Sequence, residues 1–168
     1  MDDRALVAEQ LGREPRAFRR VACRCPFGAP AVAEQSPRDD DGHPFPTTYW
    51  LTCRRLVAAV SRIEGAGGVE RWTAAVASDP QLRDSLERAD AEQRRLRREL
   101  AAGWEHPSLD SGVGGSSRDG SLKCLHAHVA FALARRADGA EAYELGERIL
   151  AELEPLWPEL CCTSAVPG

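Results

Sequence analysis

The chain has 168 residues, a formal net charge of -4, an apolar share of 43% and a charged share of 29%. These proportions are typical of a folded globular protein and exclude a largely disordered chain, while the negative charge disfavours a general nucleic-acid binder, which needs clustered positive charge. No stretch reaches the roughly 18 consecutive apolar residues of a membrane helix, and the N-terminus lacks a signal-peptide pattern. We therefore expect a cytoplasmic protein with one globular domain over residues 1–160 and a frayed tail at 161–168.

The first third of the chain is predicted to form a short helix and three strands. The helix covers residues 3–11 and ends at a glycine. Strands are predicted at 17–25, which leads into a tight turn, and at 31–35. After an aspartate-rich loop, two prolines and a run of strong strand formers predict a third strand at 43–53. These strands are expected to form a small antiparallel sheet.

From residue 54 onward, apolar residues recur at helical spacing. Helices are predicted at 54–64, 69–77, 80–100, 122–136 and 141–153. Residues 103–120 are rich in glycine and serine and are predicted to form a long loop. The prediction is an α+β fold in which about five helices cover a three-stranded antiparallel sheet.

The helix predicted at 80–100 carries a seam of residues spaced in steps of four and three. The seam consists of Leu82, Leu86, Ala89, Gln93, Leu96 and Leu100. It covers fewer than three heptads, which favours packing against the protein's own helices over homodimerisation. It is nevertheless the surface that we predict for a protein partner or for self-association.

The six cysteines need an explanation other than disulfides, because the cytoplasm is reducing. Candidate soft ligands lie at four places in the chain: Cys23 with Cys25, Cys53, Cys124 with His126 and His128, and Cys161 with Cys162. The first three places fall at the ends of predicted elements. Side chains there can converge on a tetrahedral zinc ion from different directions. A metal site is therefore a specific hypothesis.

The interpretation that we favour is one site of three thiolates and one imidazole, formed by Cys25, Cys53, Cys124 and His126. It would hold zinc or, with the same ligands, an iron–sulfur cluster. On a regular helix Cys124 shares a face with His128, so His128 replaces His126 unless Cys124 precedes the first turn. Cys23 is a substitute on the strand side. No CxxC pair occurs, which leaves buried structural cysteines as the competing interpretation.

Four basic residues lie close in sequence to these ligands: Arg24, Arg54, Arg55 and Lys123. If they converge, they form a rim suited to phosphate or carboxylate, whereas the alternative is solvated surface charge. We consider two functions. The first is a metal-stabilised binding or regulatory module with four protein ligands. The alternative is a metal-dependent enzyme that acts on a phosphorylated or other anionic small molecule at an open metal position.

Three segments of the chain resemble a known family. They are residues 25–32 (CPFGAPAV), 41–53 (DGHPFPTTYWLTC) and 122–127 (LKCLHA). Their order and separation resemble the bacterial domain of unknown function 501 family, over roughly residues 10–160. The resemblance implies an intracellular protein of actinobacterial type with no assigned reaction. The residues that match the family's pattern are Cys25, Cys53, Cys124 and His126, whereas Cys23, Cys161 and Cys162 fall outside the matching segments.

Overall fold

The computed structural model describes residues 2–117, 120–157 and 159–163. Three strands form its sheet: β1 (Phe18–Arg24), β2 (Pro30–Gln35) and β3 (Tyr49–Leu51). The helices are α1 (Asp3–Leu11), α2 (Arg54–Gly65), α3 (Gly68–Ser78), α4 (Pro80–Ala101), α5 (Leu125–Ala137) and α6 (Glu144–Leu150). The predicted α+β class, dominated by helices around an antiparallel sheet, is confirmed within the described residues.

The sheet has the order β1-β2-β3, and both neighbouring pairs are antiparallel. All six residues of the central strand, β2, are buried. The turn between β1 and β2 is closed by a hydrogen bond from the N–H of Gly28 to the carbonyl of Cys25, at 2.9 Å. Gly28 has a φ of 83°, a conformation that glycine adopts without steric cost. The hairpin predicted at this turn is therefore present.

β3 is shorter than the strand predicted at 43–53. Its register pairs Val32 with Leu51, and only three residues of the segment join the ladder with β2. Pro44 and Pro46 lack the N–H group that a central strand would donate, so the segment before β3 forms only an isolated antiparallel bridge, between Pro44 and Arg38, and does not extend the ladder. The error in the predicted length thus comes from these prolines.

α5 lies against the sheet and contacts α2 and α6. Its residues from Ala127 to Ala134 are all buried, because the helix is covered on nearly every side. No helix within the described ranges is both long enough and apolar enough to cross a lipid bilayer.

The seam of α4 is mostly buried inside the chain itself. Its first four members, Leu82, Leu86, Ala89 and Gln93, are buried, and α4 contacts α3 and α6. Leu96 and Leu100 are only partly buried. Packing against the protein's own helices therefore accounts for most of the seam, and self-association stays a prediction for its C-terminal end.

The segment predicted as a long loop at 103–120 contains two short 3-10 turns, Pro107–Asp110 and Val113–Gly115. One buried charge holds this segment in place. Arg97 of α4 is only 1% exposed, and its guanidinium donates to the carbonyls of Leu109 at 3.0 Å and Gly112 at 2.6 Å. It also donates to the carbonyl of Ser111. Arg97 thereby supplies donors to three backbone carbonyls of the irregular segment, of which the carbonyl of Gly112 also accepts from the N–H of Gly115 at 3.1 Å.

The same guanidinium reaches the segment that precedes β3. Its Nε donates to the hydroxyl of Thr48 at 3.1 Å. Burial lowers the pKa of Arg97 to about 10, so the side chain keeps its charge at neutral pH. Asp90 lies about two turns earlier on the same face of α4. It accepts from the N–H of Val113 at 2.8 Å and supplies a nearby negative charge. α4 therefore fixes both the segment at 109–113 and the start of β3.

We expect Arg97→Met to lower the free energy of unfolding by about 3 kcal/mol, because it removes a hydrogen-bonded charge and leaves buried carbonyls without donors. Urea unfolding followed by circular dichroism measures this loss. The matched control is Arg95→Met on the same helix. Arg95 is exposed and lies 3.8 Å from Glu99, so its loss should stay within about 0.5 kcal/mol. Equal effects of the two substitutions would contradict the role given to Arg97.

Candidate metal centre

Cys124 lies immediately before the first turn of α5. It is the N-cap residue, with φ of -156° and ψ of 156°, so its backbone is extended. An extended residue at this position escapes the helical geometry that would turn its side chain away from His126. The structure therefore pairs Cys124 with His126 and not with His128. The sequence allowed both pairings.

His126 is held by contacts at both ring nitrogens. Nδ1 lies 3.1 Å from Oε1 of Glu64, a residue near the end of α2. Nε2 lies 3.2 Å from the carbonyl oxygen of Val57 and 3.2 Å from the hydroxyl of Ser61. His126 also hydrogen-bonds to Cys124, and this bond above all raises its pKa, with a further contribution from the charge of Glu64.

The contacts of the His126 ring are compatible with two positions of its hydrogen. The carbonyl of Val57 only accepts hydrogen bonds and favours a hydrogen on Nε2, whereas the hydroxyl of Ser61 can donate to Nε2 and leave the hydrogen on Nδ1, facing Glu64. With the hydrogen on Nε2, the lone pair of Nδ1 faces the carboxylate of Glu64, and a second proton or a metal ion would lie between these two acceptors. The carboxylate of Glu64 thus favours a positive charge at His126.

Glu64 is a residue that the sequence reasoning missed. Its Oε1 also accepts from the N–H of Leu125, the first residue of α5, at 2.5 Å. The ligand atoms of Glu64, Cys124 and His126 all lie within 4.8 Å of one another. No local pattern distinguishes Glu64 from the other acidic residues, because its role depends on the tertiary contact between α2 and α5.

The cluster of Glu64, Cys124 and His126 borders a cavity of about 480 Å³. Cys124 and His126 line the cavity, together with Tyr49, Trp50, Leu51 and Val57. Lys123 is exposed and also lines it. The cavity has the size of a small-molecule site, with mostly apolar walls and a few polar groups at one side.

Cys25 and Cys53 do not join this cluster. Cys25 interacts with Cys161, and Cys53 interacts with Cys162. The second interaction raises the pKa of Cys53 and lowers the pKa of Cys162. The four ligands predicted from the sequence are therefore divided between two places in the structure.

The two substitute ligands lie elsewhere in the core. His128 is buried, and its Nδ1 lies 2.8 Å from the hydroxyl of Tyr143. Burial lowers the pKa of His128 to about 4, which keeps the ring neutral. Cys23 is buried as well, with its sulfur 3.5 Å from the carbonyl of Arg24. Neither belongs to the cluster at Cys124.

The predicted cationic rim does not converge on the cavity. Arg24 is paired with the carboxylate of Asp3 at 2.7 Å. Arg54 donates from Nε to the carbonyl of Gln10 at 2.8 Å, so it binds the C-terminal end of α1. Arg55 is exposed and is not among the cavity residues. Of the four basic residues, Lys123 is the one that lines the cavity.

A second group of possible ligands, Asp39, Asp41 and His43, belongs to an exposed turn. Oδ1 of Asp39 accepts from the N–H groups of Asp41 at 3.0 Å and His43 at 2.8 Å. A side chain that hydrogen-bonds to the backbone in this way stabilises an Asx turn. The turn accounts for this group without a ligand.

We expect Gly114→Ala to cost more stability than Gly139→Ala. Both glycines have positive φ, 68° and 65° respectively, so each substitution adds about 1 kcal/mol of backbone strain. A Cβ at Gly114 would lie 2.8 Å from the Cβ of Ala127, whereas nothing lies within 4 Å at Gly139. The clash should add a further 1–3 kcal/mol, roughly. Thermal unfolding of the two variants measures the difference, and equal losses would contradict this close packing beside Cys124.

Among curated proteins and solved structures, none matches this chain. A family model described as "Protein of unknown function (DUF501)" matches residues 21–150. The matched range includes Glu64, Cys124 and His126 as well as Cys25 and Cys53, and it agrees with the resemblance noted in the sequence. The chain therefore belongs to the DUF501 family.

Proposed function

We propose that this protein is a zinc-dependent enzyme that acts on a small molecule with an anionic group. Glu64, Cys124 and His126 would hold the zinc ion, and these three protein ligands would leave a fourth position for water or for a substrate in the neighbouring cavity. The observation that carries the proposal is the arrangement at His126, where Nδ1 faces the carboxylate of Glu64 at 3.1 Å while Nε2 faces a carbonyl.

The donor set suits zinc. One oxygen, one nitrogen and one sulfur ligand match a metal that accepts all three atom types, whereas calcium and magnesium prefer oxygen alone. The surrounding groups also match those of a metal site. The carbonyl of Val57 holds the outer nitrogen of His126, and the N–H of Leu125 holds Glu64. Such contacts orient metal ligands and fix the histidine tautomer.

Three protein ligands favour catalysis over a purely structural role. Structural zinc sites have four protein ligands, whereas catalytic sites have three and keep a position for water. Zinc lowers the pKa of such a water to about 7 and so supplies hydroxide for hydrolysis. This supports the alternative that the sequence left open and not the four-ligand module, because Cys25 and Cys53 lie at another place.

The cavity indicates the kind of substrate. Its walls, which include Tyr49 and Leu51, suit an apolar group. Lys123 lies next to Cys124 in the chain and supplies one positive charge at the same wall. A substrate with an apolar body and one phosphate or carboxylate group would place that group between Lys123 and the zinc ion.

A thiol nucleophile is a second candidate, because the same three residues form a Cys–His–Glu arrangement. His126 interacts with both Cys124 and Glu64, the residue types of a thiol nucleophile and of a carboxylate that orients a general base. In this case the cation at Nδ1 is a proton, and the enzyme needs no metal. Metal content distinguishes the two candidates.

We expect Cys124→Ser and His126→Gln each to lose one equivalent of zinc relative to the wild type. The measurement is elemental analysis of protein purified under reducing conditions without a metal-affinity tag. His106→Gln is the control, because His106 stacks on Trp104 in the segment after α4, outside the cluster. An unchanged zinc content in the first two variants contradicts the proposal. If Cys124 then reacts fastest with iodoacetamide, and more slowly in His126→Gln, the thiol mechanism replaces it.

Lys123→Met should weaken the binding of inorganic phosphate to the zinc-loaded protein by about tenfold, or roughly 1.4 kcal/mol, because it removes a charge-assisted hydrogen bond. Isothermal titration calorimetry measures the affinity. Arg55→Met is the matched control, since this exposed cation is outside the cavity and should leave the affinity unchanged. Phosphate affinity that is independent of both Lys123 and zinc would show that this cavity does not bind the anion.

A further inference from the structure

Four cysteines meet at the start of β2, away from the cluster at Cys124. Cys25 follows β1 and is 6% exposed, and Cys53 precedes α2 and is 1% exposed. Cys161 and Cys162 are partly buried and belong to the C-terminal segment. Electrostatic interactions pair them across the fold, Cys25 with Cys161 and Cys53 with Cys162, and a hydrogen bond of 3.3 Å from Gln10 places the sulfur of Cys162 here.

Backbone hydrogen bonds place the two pairs side by side. The N–H of Cys25 donates to the carbonyl of Ala29 at 2.9 Å, and the N–H of Cys53 lies 3.4 Å from the carbonyl of Ala31. Between these two acceptors lies Pro30, the first residue of β2. Cys25 and Cys53 are therefore neighbours at one end of the central strand.

Gln10 attaches the C-terminal segment to the same end of β2. Its Nε2 donates to the carbonyl of Pro30 at 2.7 Å and to the sulfur of Cys162 at 3.3 Å. One residue later, the hydroxyl of Thr163 donates to Oε1 of Glu9 at 2.5 Å. α1 thereby holds the segment that carries Cys161 and Cys162 against the hairpin. Residues 161–163 of the predicted tail make these contacts, and residues 164–168 lie outside the described residues.

Backbone N–H groups face three of these sulfurs, although burial raises the pKa of Cys25, and the interaction with Cys162 together with burial raises the pKa of Cys53. The N–H groups of Phe27 and Ala29, in the turn after β1, face the sulfur of Cys25. The N–H groups at the start of α2 face Cys53, and the N–H of Arg54 faces Cys162. N–H groups from a tight turn and from a helix N-terminus stabilise negative charge on sulfur. Four thiols brought together in this way have the donor types of a structural zinc site.

We propose that Cys25, Cys53, Cys161 and Cys162 bind a second zinc ion, which joins the C-terminal segment to the β1–β2 turn and the start of α2. Within the described residues, no three of these sulfur atoms lie mutually within 4.8 Å, so the two pairs must close together around the ion. Binding releases the thiol protons to solvent and forms four zinc–sulfur bonds, with no change in oxidation state. With all four positions filled by protein, this ion is structural and not catalytic.

The test is the zinc content of three proteins purified under reducing conditions without a metal-affinity tag. The wild type should contain two zinc ions per chain. Cys161→Ser/Cys162→Ser should lose one of them, and its circular dichroism spectrum should confirm that the domain is folded. Cys23→Ala is the matched control, because Cys23 is a cysteine on the same hairpin whose sulfur faces a backbone carbonyl. It should retain both ions.

The two zinc ions are distinguished by the variants that lose them, because Cys124→Ser should lose the ion of the proposed enzyme and Cys161→Ser/Cys162→Ser should lose the second ion. A single ion that is lost in Cys124→Ser but retained in Cys161→Ser/Cys162→Ser overturns the four-cysteine site and leaves the proposed function intact. A single ion with the opposite behaviour overturns the proposed function and supports the four-cysteine site. Disulfides between Cys25 and Cys161 or Cys53 and Cys162 in the freshly purified, zinc-free protein also overturn this inference.

Discussion

The buried guanidinium of Arg97 is the interaction on which the rest of the structure depends. It donates to carbonyls between Leu109 and Gly112 and to Thr48 before β3. Two of the cavity's walls, the strand β3 and the segment that ends at Gly114, are therefore positioned by one charge on α4. A buried guanidinium that water cannot reach needs a hydrogen-bond acceptor for its N–H donors, and this irregular segment supplies carbonyl acceptors. The position of the candidate site thus follows from the polar interior of the fold.

The elements of the fold were predictable because each has a strong local signal. Alternation and the turn at Gly28 identify the hairpin, and helical spacing identifies α2 to α6. The prediction was wrong about the length of β3, since strand propensity was counted where prolines prevent pairing. It also missed the 3-10 turns between α4 and α5. Besides their local backbone hydrogen bonds, these turns bond to Arg97 and Asp90, which are distant in sequence and close only in the folded chain.

The candidate site was predictable in part. Cysteine and histidine at 124 and 126 are visible as a pair in the sequence, and the extended backbone at Cys124 brings them together. The position of Glu64 depends on how α2 packs on α5, which no local pattern records. Cys25 and Cys53 were grouped with Cys124 because all three lie at the ends of helices or strands. The sequence does not show which of these ends lie close together in the folded chain. Their neighbours in the structure are Cys161 and Cys162, in a segment that the sequence reasoning treated as a tail.

The contact between Gln10 and Cys162 joins residues 152 positions apart. During synthesis, the helix that carries Gln10 leaves the ribosome long before its partner exists, and it must wait until the last part of the domain has emerged. Contacts of such long range form late, because the entropy of closing the chain must be overcome first. The hairpin and α2 can fold earlier around their own local contacts. Attachment of the C-terminal segment to α1 would then mark the completion of folding.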